Sequence, residues 1–131
     1  MSTHEIQGAT IESDNPRRIR VTWDGRVTED SVRALQNFSH ERRADLGPEP
    51  ILQCLVVAKD GAQVDPNARQ ALTTRRGRER PWDRLAVVSA RFEARVIVEL
   101  IVRALRTLKR EMAEVRFFDA EAEAIAWLER P

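Results

Sequence analysis

The sequence predicts an α/β fold: a central mixed, mostly parallel five-stranded sheet with about four helices, in the order β-β-α-β-α-β-α-β-α. Three observations carry this. Two short apolar runs, ILQCLVVA (Ile51 to Ala58) and LAVVS (Leu85 to Ser89), lack the alternation of a half-solvated strand. Each is therefore expected to be covered on both faces, as in a sheet sandwiched by helices. Stretches with helical spacing of apolar residues separate these runs, which implies parallel crossovers. The Asn15-Pro16 turn joins the first two strands, which implies one antiparallel pair at the start.

The elements follow in order. His4 to Ile11 and Arg18 to Trp23 are the first two strands. In the second, Ile19, Val21 and Trp23 alternate with Arg20 and Thr22, a period of two. Asp24-Gly25 closes it. Thr28 then suits an N-cap, because its hydroxyl can accept from the free amides of a first turn. Glu29 and Asp30 favour the positive end of the helix dipole. Val32, Leu35 and Phe38 or Ser39 carry an apolar stripe, so Glu29 to Asp45 is a helix, ended by Gly47-Pro48. After Ile51 to Ala58, Lys59-Asp60-Gly61 turns the chain. Asp65 can cap the next helix, and Pro66 takes its first position, where a missing N–H costs nothing. That helix is expected to reach Arg76, with Gly77 as its stop. Leu85 to Ser89 is followed by the longest helix, Ala90 to Arg110. Val115 to Phe118 is a last short strand. Asp119 is expected to cap a closing helix in which Ala122, Ile125, Ala126 and Leu128 face inward, with Trp127 beside them.

The 131 residues fit one domain, residues 1–131, long enough for a single core. The net charge is +1, from 22 basic and 21 acidic residues, so global charge points neither to nucleic acid nor to membrane. Lys59 and Lys109 are the lysines; every other basic residue is arginine, a compositional bias. The single cysteine, Cys54, lies among apolar neighbours and reads as a small buried hydrophobe. MSTHEIQGAT has neither the basic nor the apolar region of a signal peptide. The longest apolar stretch, VIVELIV, is broken by Glu99 and is too short to span a bilayer, so a cytoplasmic location is expected.

Catalytic sets do not emerge. His4 and His40, with one cysteine, make no zinc pattern, and His40-Glu41 has no second histidine four residues on. VVSAR lacks the glycines of a nucleophile elbow around Ser89. The five glycines form no phosphate loop. Asp60 and Asp65 flank a turn, and turn and cap chemistry accounts for both. No catalytic residue, metal or cofactor is expected, and the protein reads as a non-enzyme.

The stretch LVVAKDGAQVDPNARQAL, Leu55 to Leu72, gives the first functional lead. An apolar strand, a short loop, a hydrophobic-Asp pair and a capped helix follow one another. This resembles the signature of STAS domains, the fold of anti-sigma factor antagonists, in which Ser-Ser-Gly opens the helix. Val64-Asp65 match the hydrophobic-Asp pair, and Pro66, Asn67 and Ala68 stand where Ser-Ser-Gly would be. DGRVTEDSVRAL, Asp24 to Leu35, resembles the family's step into its first helix. The tail VRFFDAEAEAIAWL resembles a bacterial STAS/SEC14-like, or SpoIIAA-like, subgroup. The resemblance runs from about His4 to Leu128. It implies a bacterial regulatory module that binds a protein partner. In phospho-switch members a kinase modifies a serine at the place of Asn67. Asparagine has no hydroxyl to receive the phosphate, so the switch is absent from this position. The resemblance and the exposed cap chemistry together nominate Asp65, Asn67 and Arg69 as a partner-binding surface.

Two further surfaces are expected. RRGRERPWDR, Arg75 to Arg84, is the sharpest charge cluster. Arg75, Arg76, Arg78 and Arg80 could form an anion patch, with Trp82 available for stacking; the other reading is a solvated loop, and no specific nucleic acid is expected. On the long helix, Arg95, Glu99, Arg103, Arg106 and Arg110 fall on one narrow stripe, leaving a broad apolar arc. Val98, Ile101, Val102 and Leu105 on that arc are either core, a homodimer interface, or the wall of a pocket for a small lipid or other amphiphile. The carrier of such an amphiphile is the alternative to the interaction module.

Overall fold

The computed structural model describes residues 3–6, 9–59, 63–72, 82–88 and 114–131. The chain opens with three antiparallel strands, β1 (Thr3–Ile6), β2 (Ala9–Asn15) and β3 (Arg18–Trp23). A two-residue strand, β4 (Arg26–Val27), leads into helix α1 (Glu29–Leu46). Then come β5 (Gln53–Ala58), the two-residue β6 (Gln63–Val64), helix α2 (Pro66–Leu72), β7 (Arg84–Val88), β8 (Glu114–Phe118) and helix α3 (Glu121–Leu128). The main sheet runs β1-β2-β3-β5-β7-β8, and β4 pairs with β6 in a small parallel ladder.

The α/β class and the mixed sheet agree with the sequence pattern. β3, β5, β7 and β8 run parallel in the expected order. The expected first strand, His4 to Ile11, is instead two strands, so a sixth strand lies at the sheet edge. Three helices are described; the expected helix from Ala90 to Arg110 lies outside the described residues, as do residues 73–76 of the second.

Alternation decides which face each side chain serves. On β3, Ile19, Val21 and Trp23 are buried on one face; on β5, Cys54 and Val56 join them. With Val32, Leu35 and Phe38 from α1 and Ala68 and Ala71 from α2, these residues form the larger core. The opposite face of the sheet buries Leu55, Ala86 and Val88 against Ala124, Trp127 and Leu128 of α3. The unbroken apolar run in β5 thus has a direct cause: adjacent residues Cys54, Leu55 and Val56 serve cores on both sides. The strand itself starts at Gln53, two residues later than the apolar run, and Ile51 is exposed.

Helix α1 begins as its sequence requires. The Thr28 hydroxyl accepts from the Ser31 amide, and the Thr28 amide donates to the Ser31 hydroxyl, a reciprocal capping box. Gly47 ends the helix with φ at 91°, where a side chain would be strained. The closing helix departs from expectation. Ala120, not Asp119, occupies its N-cap and makes no side-chain cap bond. Ala122 and Ala126 are exposed, while Ala124, Trp127 and Leu128 are buried. An Ala-rich helix has several nearly equivalent apolar stripes, and the stripe carrying Trp127 and Leu128 buries the most area. Trp127 packs tilted against Phe118, with ring centroids 5.7 Å apart.

Candidate functional site

Parallel strands β3 and β5 end side by side at Trp23 and Ala58. The Lys59 amide donates to the Trp23 carbonyl at 2.8 Å, so both chains leave the sheet together. Just beyond, β4 and β6 pair in register, Arg26 with Gln63 and Val27 with Val64. The Asp65 amide extends this ladder by donating to the Val27 carbonyl at 3.0 Å. This is the carboxyl end of the parallel strands, where the chain leaves the sheet for its helices.

The ladder fixes the start of α2. Asp65 accepts from the Arg26 guanidinium, Nε to Oδ1 at 2.5 Å. Pro66 and Asn67 follow, both exposed, and Ala68 is fully buried. One turn of helix therefore has a clear division: Ala68 and Ala71 anchor it, while Pro66, Asn67 and Gln70 face outward. Buried Gln36 of α1 donates from Nε2 to the Ala71 carbonyl at 3.2 Å and holds the other end. Of the three nominated residues, Asp65 and Asn67 are consecutive neighbours around Pro66 on this surface. Arg69 lies within α2, two residues beyond Asn67.

Sequence reasoning missed the two supports of this surface. Arg26 sits in a two-residue strand with no periodicity of its own, and Gln36 is a polar residue on the buried side of α1. The available signal for Gln36 was its place four residues after Val32, on the same helical stripe.

The opposite end of the sheet is tied down by polar side chains. Trp82, which the sequence offered for stacking on bases, is half-buried against the larger core, and its indole N–H donates to Ser39 Oγ at 3.1 Å. Its ring is a structural anchor, because burying an indole needs a partner for its N–H. Buried Arg18 donates to Gln53 Oε1 at 3.0 Å and to Glu129 Oε1 at 2.7 Å. Arg84 donates to the carbonyls of Leu128 and Arg130, closing the end of α3. Arg75, Arg76, Arg78 and Arg80 lie outside the described residues. So do Val98, Ile101, Val102 and Leu105.

Cys54 is buried within the larger core, and its burial pushes the thiol up to about 12 from 9.0, so it carries no thiolate chemistry near neutrality. Among the described residues, no three His, Cys, Asp or Glu side chains gather where they could hold a metal ion. No described helix is long and apolar enough to cross a membrane.

Comparison with known proteins places this architecture. No curated protein matches the sequence. In three dimensions the chain is similar to an uncharacterized protein from the DUF3478 family with a SpoIIAA-like fold, from Shewanella loihica PV-4. The two share 17% identity and a TM-score of 0.58, over 92% of this chain and 91% of that one. That likeness establishes the fold. The SpoIIAA-like family model matches residues 18–129, from the first residue of β3 to just past the end of α3. This chain belongs to the SpoIIAA-like family.

Proposed function

We propose that this protein is a non-enzymatic bacterial regulatory module that docks a protein partner on the start of α2 and does so without a phosphorylation switch. The observation that supports this reading is the exposed Pro66-Asn67 step held on a fixed base. Asp65 is tied to Arg26, the β4–β6 ladder supports it from below, and Ala68 and Gln36 anchor the helix behind. A surface already ordered loses little freedom on binding, which favours recognition by a partner. Asn67 offers both an amide donor and a carbonyl acceptor, and Asp65 adds a carboxylate. Arg69 belongs to the same docking surface by its place in the helix. The domain acts as one unit spanning residues 1–131, in the cytoplasm.

A photo-crosslinking residue placed at position 67 tests the reading, with the same residue at exposed Asn37 of α1 as the control. The expected result in cells is a discrete protein adduct from position 67, absent from position 37 and lost when Asp65→Arg is added. Identical adducts from both positions, or none from position 67, would overturn the docking surface.

A further inference from the structure

β8 ends one side of the sheet: among the described residues it pairs with β7 and with no other strand. The Glu114 amide donates to the Asp83 carbonyl at 3.0 Å, on the β7 side. In a strand, the N–H and C=O of one residue point to the same side, and successive residues alternate. Glu114, Arg116 and Phe118 therefore turn their main-chain groups toward β7, and Val115 and Phe117 turn theirs outward. An edge strand is usually blunted by Pro, Lys, a bulge or very short length. β8 reads EVRFF, with no Pro or Lys; its two charged residues, Glu114 and Arg116, are opposite in sign, and its β-branched and aromatic side chains suit a strand.

Its charges indicate which strand would fit. Let a second copy of β8 run antiparallel about a two-fold axis at Val115. Val115 then lies opposite its own copy, and the outward main-chain groups of the two residues meet as a hydrogen-bonded pair. Glu114 lies opposite Arg116 on both sides of the axis. These two positions are non-hydrogen-bonded pairs, where the Cα atoms are about 4.5 Å apart and side chains come closest. Opposite charges placed directly across a ladder stabilise it. A one-residue slip is forbidden, because it would set an outward main chain against an inward one. The next allowed register, centred on Arg116, sets Arg116 against its own copy and Glu114 against Phe118, which like-charge repulsion disfavours.

Both charged groups are available for this. The Glu114 side chain is 74% exposed, and its contact with Arg84 is a loose 3.9 Å. Arg116 is exposed, with its guanidinium 5.5 Å from the centre of the Trp127 ring of α3, a contact that a guanidinium exchanging to a facing carboxylate would give up. We propose that β8 is a homotypic docking edge. Two copies of this chain join β8 to β8 in antiparallel register, with Val115 on the axis and two Glu114–Arg116 ion pairs flanking it, to make one continuous sheet. This surface is separate from the Asn67 step, and neither proposal depends on the other.

The test uses the full chain in native mass spectrometry and sedimentation velocity across a concentration series. The wild-type protein is expected to form a dimer that grows with concentration. Val115→Pro is expected to be monomeric with an unchanged circular dichroism melt, because the lost N–H faces away from β7. E114R alone and R116E alone are each expected to be monomeric, since Arg then faces Arg and Glu faces Glu. Mixed in equal amounts, the two variants are expected to yield a heterodimer, because the signs are complementary again. A wild-type protein that stays monomeric throughout overturns the proposal. So does a dimer that survives Val115→Pro, or a pair of charge variants that fails to join on mixing. Should Val115→Pro not fold, the charge variants carry the test, since Glu114 is exposed.

Discussion

Arg43 and Asp83 join the end of α1 to the start of β7: Nη2 of Arg43 lies 2.7 Å from Oδ2 of Asp83. The same carboxylate oxygen accepts the Leu52 amide at 2.9 Å, and Arg43 donates through Nη1 to the carbonyls of Gly47 and Pro50. One arginine and one aspartate thus fix the crossover that leads into β5. Asp83→Ala removes an acceptor from both the guanidinium and the Leu52 amide. Hydrogen bonds to charged groups contribute about 1.5–3 kcal/mol each, less where solvent screens them. A loss of about 2 kcal/mol is expected, with a smaller loss for Asp83→Asn. Urea unfolding should show a lower midpoint at an unchanged m-value.

Cys54 makes the protein sensitive to alkali. The folded state keeps the thiol proton up to about pH 12, whereas the unfolded chain releases it near 9.0. Below pH 9 both states are protonated and the group contributes no pH dependence. Between pH 9 and 12 the unfolded state binds fewer protons, so stability falls as pH rises, by at most about 1.4 kcal/mol per pH unit. Cys54→Ala costs stability at neutral pH but removes this slope. Unfolding midpoints of the two proteins measured from pH 8 to 11 should converge as pH rises. Parallel curves would show that the thiol is not the alkaline liability.

Asn67 and Ala68 are adjacent and should behave in opposite ways. Asn67 is exposed, and exposed substitutions usually change stability by less than about 0.5 kcal/mol. Ala68 is fully buried on the side of α2 that faces the larger core, and Ala68→Leu overpacks it at a cost of about 1–3 kcal/mol. Thermal melts should separate the two clearly. A melting shift at Asn67→Ala as large as that at Ala68→Leu would give Asn67 a structural duty.

Gln36 sets the position of α2 from inside the core. Gln36→Ala removes the amide that reaches the Ala71 carbonyl, a loss of about 1 kcal/mol. Because that bond ties α2 to α1, its removal should speed amide hydrogen exchange in α2 more than in β5. Uniform acceleration across both elements would mean that the bond contributes to global stability alone.

Much of the fold was legible where a pattern repeats. The alternation Ile19, Val21, Trp23 makes a strand because successive side chains serve opposite faces. Thr28 starts α1 and Gly47 ends it, because free backbone groups at helix ends demand such partners; the reciprocal bond from Ser31 emerged only in the structure. The hidden parts lack a repeat. β4 and β6 have two residues each, and β1 has four, too few for any periodicity to show. Their existence depends on partners that are distant in sequence.

The candidate site divides along the same line. Pro66 and Asn67 opening a helix after a hydrophobic-Asp pair is a local fact, encoded in neighbouring residues. That Asp65 meets Arg26, 39 residues away, is set by the parallel pairing of β3 with β5. The role of Trp82 shows the same limit. It lies in an arginine-rich stretch, between Arg80 and Arg84, which suggests an exposed stacking surface, but the fold carries it to Ser39 and against the core. Local sequence encodes propensity, periodicity and caps, because these act over one turn or one pleat. Which polar groups meet across the molecule is settled by packing, because burial forces each to find a partner wherever the chain has brought one.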